Sequence, residues 1–240
     1  MLNGKQAGEI TTNQSPMSLP LSEKERNPAR SREAILDAGE ALFAERGYEG
    51  TSLSDVGSLA GVSRGTPGYF FGSKAELYRA VLERCFGEVL EAVRAGRARA
   101  IASEAEPEAI LAGAVSDYFD FLAERPNFVR LIEWEALAGG TQLEEVPPHV
   151  AAAQEALSAL RDELAMGPGM SQDAAHLLLS IIGLCWFPLA HANTVLRALR
   201  IDPEDPAFLE QRKRHVIDLV LNGLRGRFAS AGATGENDHD

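Results

Sequence analysis

Apolar residues in this chain recur at a helical period, in nine separate stretches. From Pro28 to Arg46, Ile35, Ala38, Gly39, Leu42 and Phe43 fall at i, i+3, i+4, i+7 and i+8, on one face of a helix. Gly47 follows and suits a left-handed stop. Ser52, with Asp55 three residues on, reads as a capping box in which Asp stands for Glu. It opens a short helix with Val56, Leu59 and Ala60 facing inward. Gly61 makes a tight Ala-Gly-Val-Ser turn, and a second short helix runs to about Phe71. Ser73 with Glu76 repeats the capping pair and opens a long helix reaching past Arg99. Pro107 restarts the chain, and Leu111, Val115, Tyr118 and Leu122 form a stripe to Arg125. After Pro126 comes the stripe Phe128, Leu131, Ile132 and Glu135, ending at Gly139-Gly140. A loop over 141–148, closed by Pro147-Pro148, precedes a helix from about His149 to Met166, stopped by Gly167-Pro168-Gly169. Ser171 caps a helix to about Leu199, Asp202–Pro206 turns, and the last helix covers about Ala207–Phe228. Strand-like alternation of β-branched and aromatic residues is nowhere sustained. The expected fold is all-α, with about nine helices.

Two short helices joined by so tight a turn cross steeply, and the second can project into a DNA major groove. Leu42, Phe43, Leu53, Val56, Val62 and Phe71 would form the small core of such a unit. Ser63, Arg64, Thr66, Pro67, Gly68 and Tyr69 would face outward. Arg64 can fork to guanine or grip a phosphate. Thr66 offers a hydroxyl and a methyl, and Pro67 a rigid apolar contact. Lys74, at the start of the long helix, suits a phosphate.

The formal net charge of −12 speaks against a general nucleic-acid binder, but it is unevenly spread. Residues 1–84 hold ten basic and eleven acidic side chains, so the excess acid lies in the C-terminal part. The polar ends, 1–24 and 230–240, read as disordered tails. Cys85 and Cys185 are lone thiols in apolar stripes and read as core. No apolar leader is visible, and the most apolar run, Leu177–Ala190, is shorter than a membrane span and interrupted by Pro188. The expected location is cytoplasmic, with no membrane partner. No phosphate loop or H-E-x-x-H zinc motif occurs, so no metal, cofactor or catalytic residue is expected.

The segment GTPGYFFGSKAELY at 65–78, preceded by AGVS at 60–63, resembles the TetR (tetracycline-repressor-like) family of transcriptional regulators. Phe43-x-x-x-Gly47-Tyr48, Thr51 and Asp55 extend the resemblance over about 55 residues. It departs from the family at Pro67-Gly68, where Leu-Tyr is frequent, and at Phe70, where His is frequent. The resemblance implies a helix-turn-helix DNA-binding domain at 25–73 and a helical ligand-binding and dimerisation domain at 74–229. It implies a homodimer, probing a near-palindromic operator and released by a small-molecule inducer, rather than an enzyme. By position, Thr51 and Tyr69 would contact the DNA backbone, Arg64 and Thr66 would approach bases or phosphates, and Lys74 would clamp a phosphate. A pocket among residues 107–199 would draw on Tyr118, Phe119, Phe128, Trp134, Glu135, Trp186 and His191. Glu135 stands out as a carboxylate on an apolar stripe, where it could meet a ligand or reach solvent at the stripe's edge. In the last helix VIDLVLNGL, at 216–224, is apolar nearly all round, and the helix before it places Ser180, Gly183, Ala190 and Thr194 near one face. Two such helices per subunit would build a four-helix interface. The alternatives are a helical ligand-binding dimer whose reading head has lost DNA affinity, and an all-α enzyme.

Overall fold

The computed structural model describes residues 28–103, 105–164 and 171–233, and every regular element among them is helical. Nine α-helices follow in order: α1 Pro28–Arg46, α2 Leu53–Leu59, α3 Thr66–Phe71, α4 Lys74–Ser103, α5 Pro107–Glu124, α6 Pro126–Leu137, α7 Pro147–Glu163, α8 Ser171–Ala190 and α9 Pro206–Ala233. The polar N-terminal stretch, the Gly167-Pro168-Gly169 stop and residues 234–240 lie outside the described residues. Helix α9 continues through 230–233, which the sequence assigned to a tail.

Both capping pairs form. The Asp55 N–H donates to Ser52 Oγ at 3.2 Å, and the Ser52 hydroxyl donates to the Asp55 carboxylate at 2.7 Å. At α4 the pair is reciprocal: the Glu76 N–H donates to Ser73 Oγ at 3.2 Å, and the Ser73 N–H donates to Glu76 Oε2 at 2.9 Å. Helices α1–α3 close over Leu42, Phe43 and Val56, which pack with Leu77, Tyr78 and Val81 from the first turns of α4. Leu53, Val62 and Phe71, expected in that core, are only partly buried against it. A three-helix unit this small cannot cover its own centre, so α4 serves as the floor of the head as well as the spine of the rest.

Two sequence expectations change. Pro147 and Pro148 open α7 instead of closing the loop before it, because a helix's first turn has no use for their missing N–H groups. Helix α8 stops at Ala190 and gives way to a wider π-type turn over Ala192–Leu196, instead of running to Leu199. Pro188 is the cause: it cannot donate to the Leu184 carbonyl one turn back. That carbonyl instead accepts a 3.0 Å bond from the Arg212 guanidinium of α9.

Helix α8 has a mean hydropathy of 1.6 over Gln172–Ala190, yet only 22% of that stretch is buried within the chain. Length and composition alone would let it cross a membrane. Its outward stripe carries Leu179, Ser180, Gly183 and Phe187, with Leu179 64% and Phe187 49% exposed. On α9, Val216, Val220 and Leu224 turn inward while Leu219 is 49% exposed.

Gly47 has φ +71°, and a Cβ there would sit 3.1 Å from the Trp134 indole of α6. Gly47→Ala therefore combines left-handed strain with a clash, and is expected to destabilise the fold by about 1–3 kcal/mol in urea unfolding. Burial pushes the Cys85 and Cys185 thiols from 9.0 up to about 12. Their raised values favour the folded state below about pH 9, and that contribution is lost as pH climbs from 9 towards 12. Unfolding midpoints should fall across that window, and a thiol reagent at pH 8 should label both cysteines only after denaturation.

Candidate DNA-reading head and internal cavity

The turn between α2 and α3 is held from inside. Gly57 lets the chain come close: a Cβ there would crowd the Ser63 carbonyl at 3.0 Å and the Pro67 ring at 3.4 Å. The Ser63 and Thr66 hydroxyls bond each other at 2.6 Å across the start of α3. Arg64 and Tyr69 point outward, Tyr69 with 86% of its surface free and its ring edge-on to Phe70 at 5.4 Å. Arg32, from the first turns of α1, lies over the Phe71 ring at 5.1 Å.

Two expected surface contacts turn inward. Pro67 is buried beneath Gly57, so its ring is a packing element and not an outward apolar contact. Thr51 is also buried, and its hydroxyl lies 3.0 Å from the Gly47 carbonyl and 3.2 Å from that of Leu42, sharing one proton between them. Thr51 thus ties the end of α1 to the start of α2. Gly68 remains half-exposed beside Tyr69. Lys74 donates to the Tyr48 carbonyl at 3.0 Å, lies 4.1 Å from the Tyr48 ring centre and pairs with Glu49 at 3.8 Å. The sequence match around Ser63 also spells G-x-S-x-G (Gly61 to Gly65), but that motif requires a strand before the serine, and here a turn joins two helices.

Head and body meet where α6 crosses α1 and α4. The Trp134 Nε1–H donates to the Ala44 carbonyl at 3.3 Å, and its indole covers Gly47. Glu135, expected at a ligand or in solvent, is 2% exposed and accepts a 2.7 Å bond from the Tyr78 hydroxyl of α4. Its other oxygen is buried without a hydrogen-bond partner among the described residues. Burial, and next the bond to Glu135, hold the Tyr78 phenol well above the usual tyrosine range. Nearby, Arg84 of α4 spans Asp37 at 2.6 Å and Glu40 at 2.7 Å on α1. Periodicity placed Glu135 on an apolar stripe; nothing in the sequence paired it with Tyr78, because the two are 57 residues apart.

A cavity of about 690 Å³ opens among α4, α5, α7 and α8, with the start of α6 at its floor. Of the expected ligand residues, Tyr118, Phe128 and Trp186 line it. Phe119 is core, Trp134 and Glu135 belong to the seam above, and the His191 ring packs on Phe187 at 4.6 Å. The Tyr118 hydroxyl has no hydrogen-bond partner among the described residues, and burial raises its pKa. The Trp186 Nε1–H donates to Glu133 at 2.7 Å. The sequence reading missed most of the wall, including the alanines and glycines on α4, α5 and α7 that leave the space. Among the described residues no cluster of His, Cys, Asp or Glu could hold a metal ion.

Residues 35–81 match the profile of bacterial regulatory proteins of the tetR family, and residues 107–220 match the tetracyclin repressor-like C-terminal domain. The chain is 28% identical to the HTH-type transcriptional repressor NicS of Pseudomonas putida over 201 residues, covering 82% of this chain and 93% of that one. It is 28% identical to the HTH-type transcriptional regulator RutR of Escherichia coli K12, covering 85% and 95%. The transcriptional regulator FadR of Bacillus subtilis, solved in complex with stearoyl-CoA, shares the fold with a TM-score of 0.59 at 20% identity, over 80% of this chain and 98% of that one.

Removing one partner of a buried polar pair leaves the other unsatisfied, whereas removing both leaves nothing to satisfy. Tyr78→Phe is therefore expected to cost about 1–3 kcal/mol in urea unfolding. Tyr78→Phe combined with Glu135→Leu should recover much of that loss.

Proposed function

The chain belongs to the tetR family and is a DNA-binding transcriptional regulator, not an enzyme; we propose that it is a repressor, binding a near-palindromic operator as a homodimer and released by a small molecule. The observation that carries the reading is the outward display of Arg64 and Tyr69 on a head wedged rigidly by Gly57, Pro67 and Thr51. Repression follows the name of the relative from Pseudomonas putida. Release by a ligand is supported by the cavity and by the stearoyl-CoA carried by the Bacillus subtilis protein.

Dimerisation is supported by the apolar stripe that α8 leaves uncovered, with Leu179 and Phe187 upon it, and by the exposed Leu219 of α9. A two-fold axis through such an interface sets two α3 helices one DNA turn apart, roughly 34–36 Å. The route from cavity to DNA runs along α6. Phe128 and Ile132 face the cavity, and Trp134 and Glu135 grip α1 and α4. A ligand that prefers a displaced α6 shifts both heads away from the spacing that fits the groove, by as much as its differential affinity allows.

Selection from random duplexes with the purified chain should enrich an inverted repeat; a pool with no enriched sequence is the outcome expected of a head that has lost DNA affinity. Arg64→Ala should then cost about 1–3 kcal/mol and relax preference at one base position, measured by competition binding. Lys74 keeps donor capacity beyond Tyr48 and Glu49, and we assign it to a phosphate. Lys74→Ala should weaken all sequences alike and reduce the salt slope by about one. Leu219→Glu should convert the dimer to monomer in sedimentation and abolish operator binding.

A further inference from the structure

The cations of the head stand beside carboxylates. Arg46 lies 3.6 Å from Glu45, Arg32 lies 3.7 Å from Glu33, and Lys74 lies 3.8 Å from Glu49. Lys74 is held most firmly of the three. Its ammonium donates to the Tyr48 carbonyl at 3.0 Å and rests 4.1 Å from the centre of the Tyr48 ring. Its side chain is 25% exposed, while that of Glu49 is 93% exposed. The cation is therefore fixed, and the carboxylate beside it swings on a solvated side chain. An ammonium has three donors, and the Tyr48 carbonyl takes one of them.

A second carboxylate stands at the same corner. Glu76 accepts from the Ser73 N–H at 2.9 Å and so lies at the positive end of α4. The two acids are not equivalent. Glu76 completes the capping pair with Ser73, and its removal would loosen the first turn of α4. Glu49 caps no helix, and its carboxylate touches the rest of the head only through the long contact to Lys74.

We propose that Glu49 is a tethered competitor for the phosphate site at Lys74. In the free chain its carboxylate stands where a phosphate oxygen would, and DNA must displace it. The inference rests on the reading of Lys74 as a phosphate contact. A loose, exposed pair suits such an exchange: it is screened by solvent, and the anion can leave without any movement of the fixed cation. The consequence is weaker binding to duplexes of every sequence, because phosphate contacts carry no sequence information.

The test is competition binding of the full chain to two labelled duplexes, the inverted repeat enriched by selection and a scrambled duplex of equal length. Glu49→Gln keeps the size of the side chain and removes its charge. One exposed pair at this distance is worth about a threefold change in affinity, so two heads on one operator should bind about tenfold tighter. The scrambled duplex should gain alike. The gain should shrink as salt rises, steepening the salt slope by up to about one per head. Glu49→Ser should repeat the gain, and an unchanged urea midpoint checks that each variant keeps its fold.

Plain repulsion between Glu49 and the duplex would also make Glu49→Gln bind tighter, and Lys74 separates the two causes. In a Lys74→Ala background, Glu49→Gln should change affinity by less than about twofold, because no cation is left to compete for. No gain from Glu49→Gln, a loss, or an equal gain with and without Lys74 overturns the proposal. A loss would make Glu49 a positioning residue for Lys74, and equal gains would make it a source of general repulsion. Those results leave the phosphate reading standing so long as Lys74→Ala alone weakens both duplexes. If Lys74→Ala weakens neither, that reading falls and this proposal falls with it.

Discussion

Glu135 brings a carboxyl group into a seam that excludes water, and a single phenol answers it there. That bond, with the Trp134 indole seated on Gly47, is where the C-terminal body takes hold of the reading head. An apolar seam could slide, because dispersion and burial have little direction. A buried acceptor cannot slide without losing its donor, and the unpartnered second oxygen of Glu135 makes the arrangement costlier still to disturb. Moving the head against the body therefore costs that bond before any other contact is remade. Arg84, bridging Asp37 and Glu40, reinforces the same junction from the partly wetted side.

Local signals in the chain were readable because they act over three or four residues. The capping pairs Ser52–Asp55 and Ser73–Glu76, the stop at Gly47 and the helix restart at Pro107 need only neighbours to be recognised. Where the reading faltered, a long-range partner decided. Thr51 turns inward because the carbonyls of Leu42 in α1 and Gly47 just beyond it accept its hydroxyl. Pro67 turns inward because Gly57 lets it come close. Glu135 on an apolar stripe carried a signal, but the period of a helix says only which face a residue occupies and not what lies across from it. The cavity was harder still. Aromatic residues announce themselves in a sequence, whereas the alanines and glycines that leave space on α4, α5 and α7 do not.

The uneven charge fits the division of labour. Most of the excess acid lies beyond residue 84, in the body, while the head is close to neutral. Surface charges separated by more than about 8–10 Å are largely screened at physiological salt, so the body's acid does not cancel a cation at the tip of the head. It does disfavour any approach that lays the body against a phosphate backbone. Net charge in such a chain selects the orientation of encounter, and the few cations of the head make the contacts.

Helix α6 belongs to the cavity and to the seam at once, and this separates two quantities that are easily conflated. Phe128 and Trp134 are six residues apart, roughly 9 Å along the axis, within one helix too short to bend between them. A ligand that fills the cavity and leaves α6 in place gains affinity from buried surface and does nothing to the head. One that reaches the floor and is better accommodated with α6 displaced gains less, and spends the difference on Trp134 and Glu135. The tightest binder of this cavity need not be its best effector. Binding and release should part company at the ligand that first presses on Phe128.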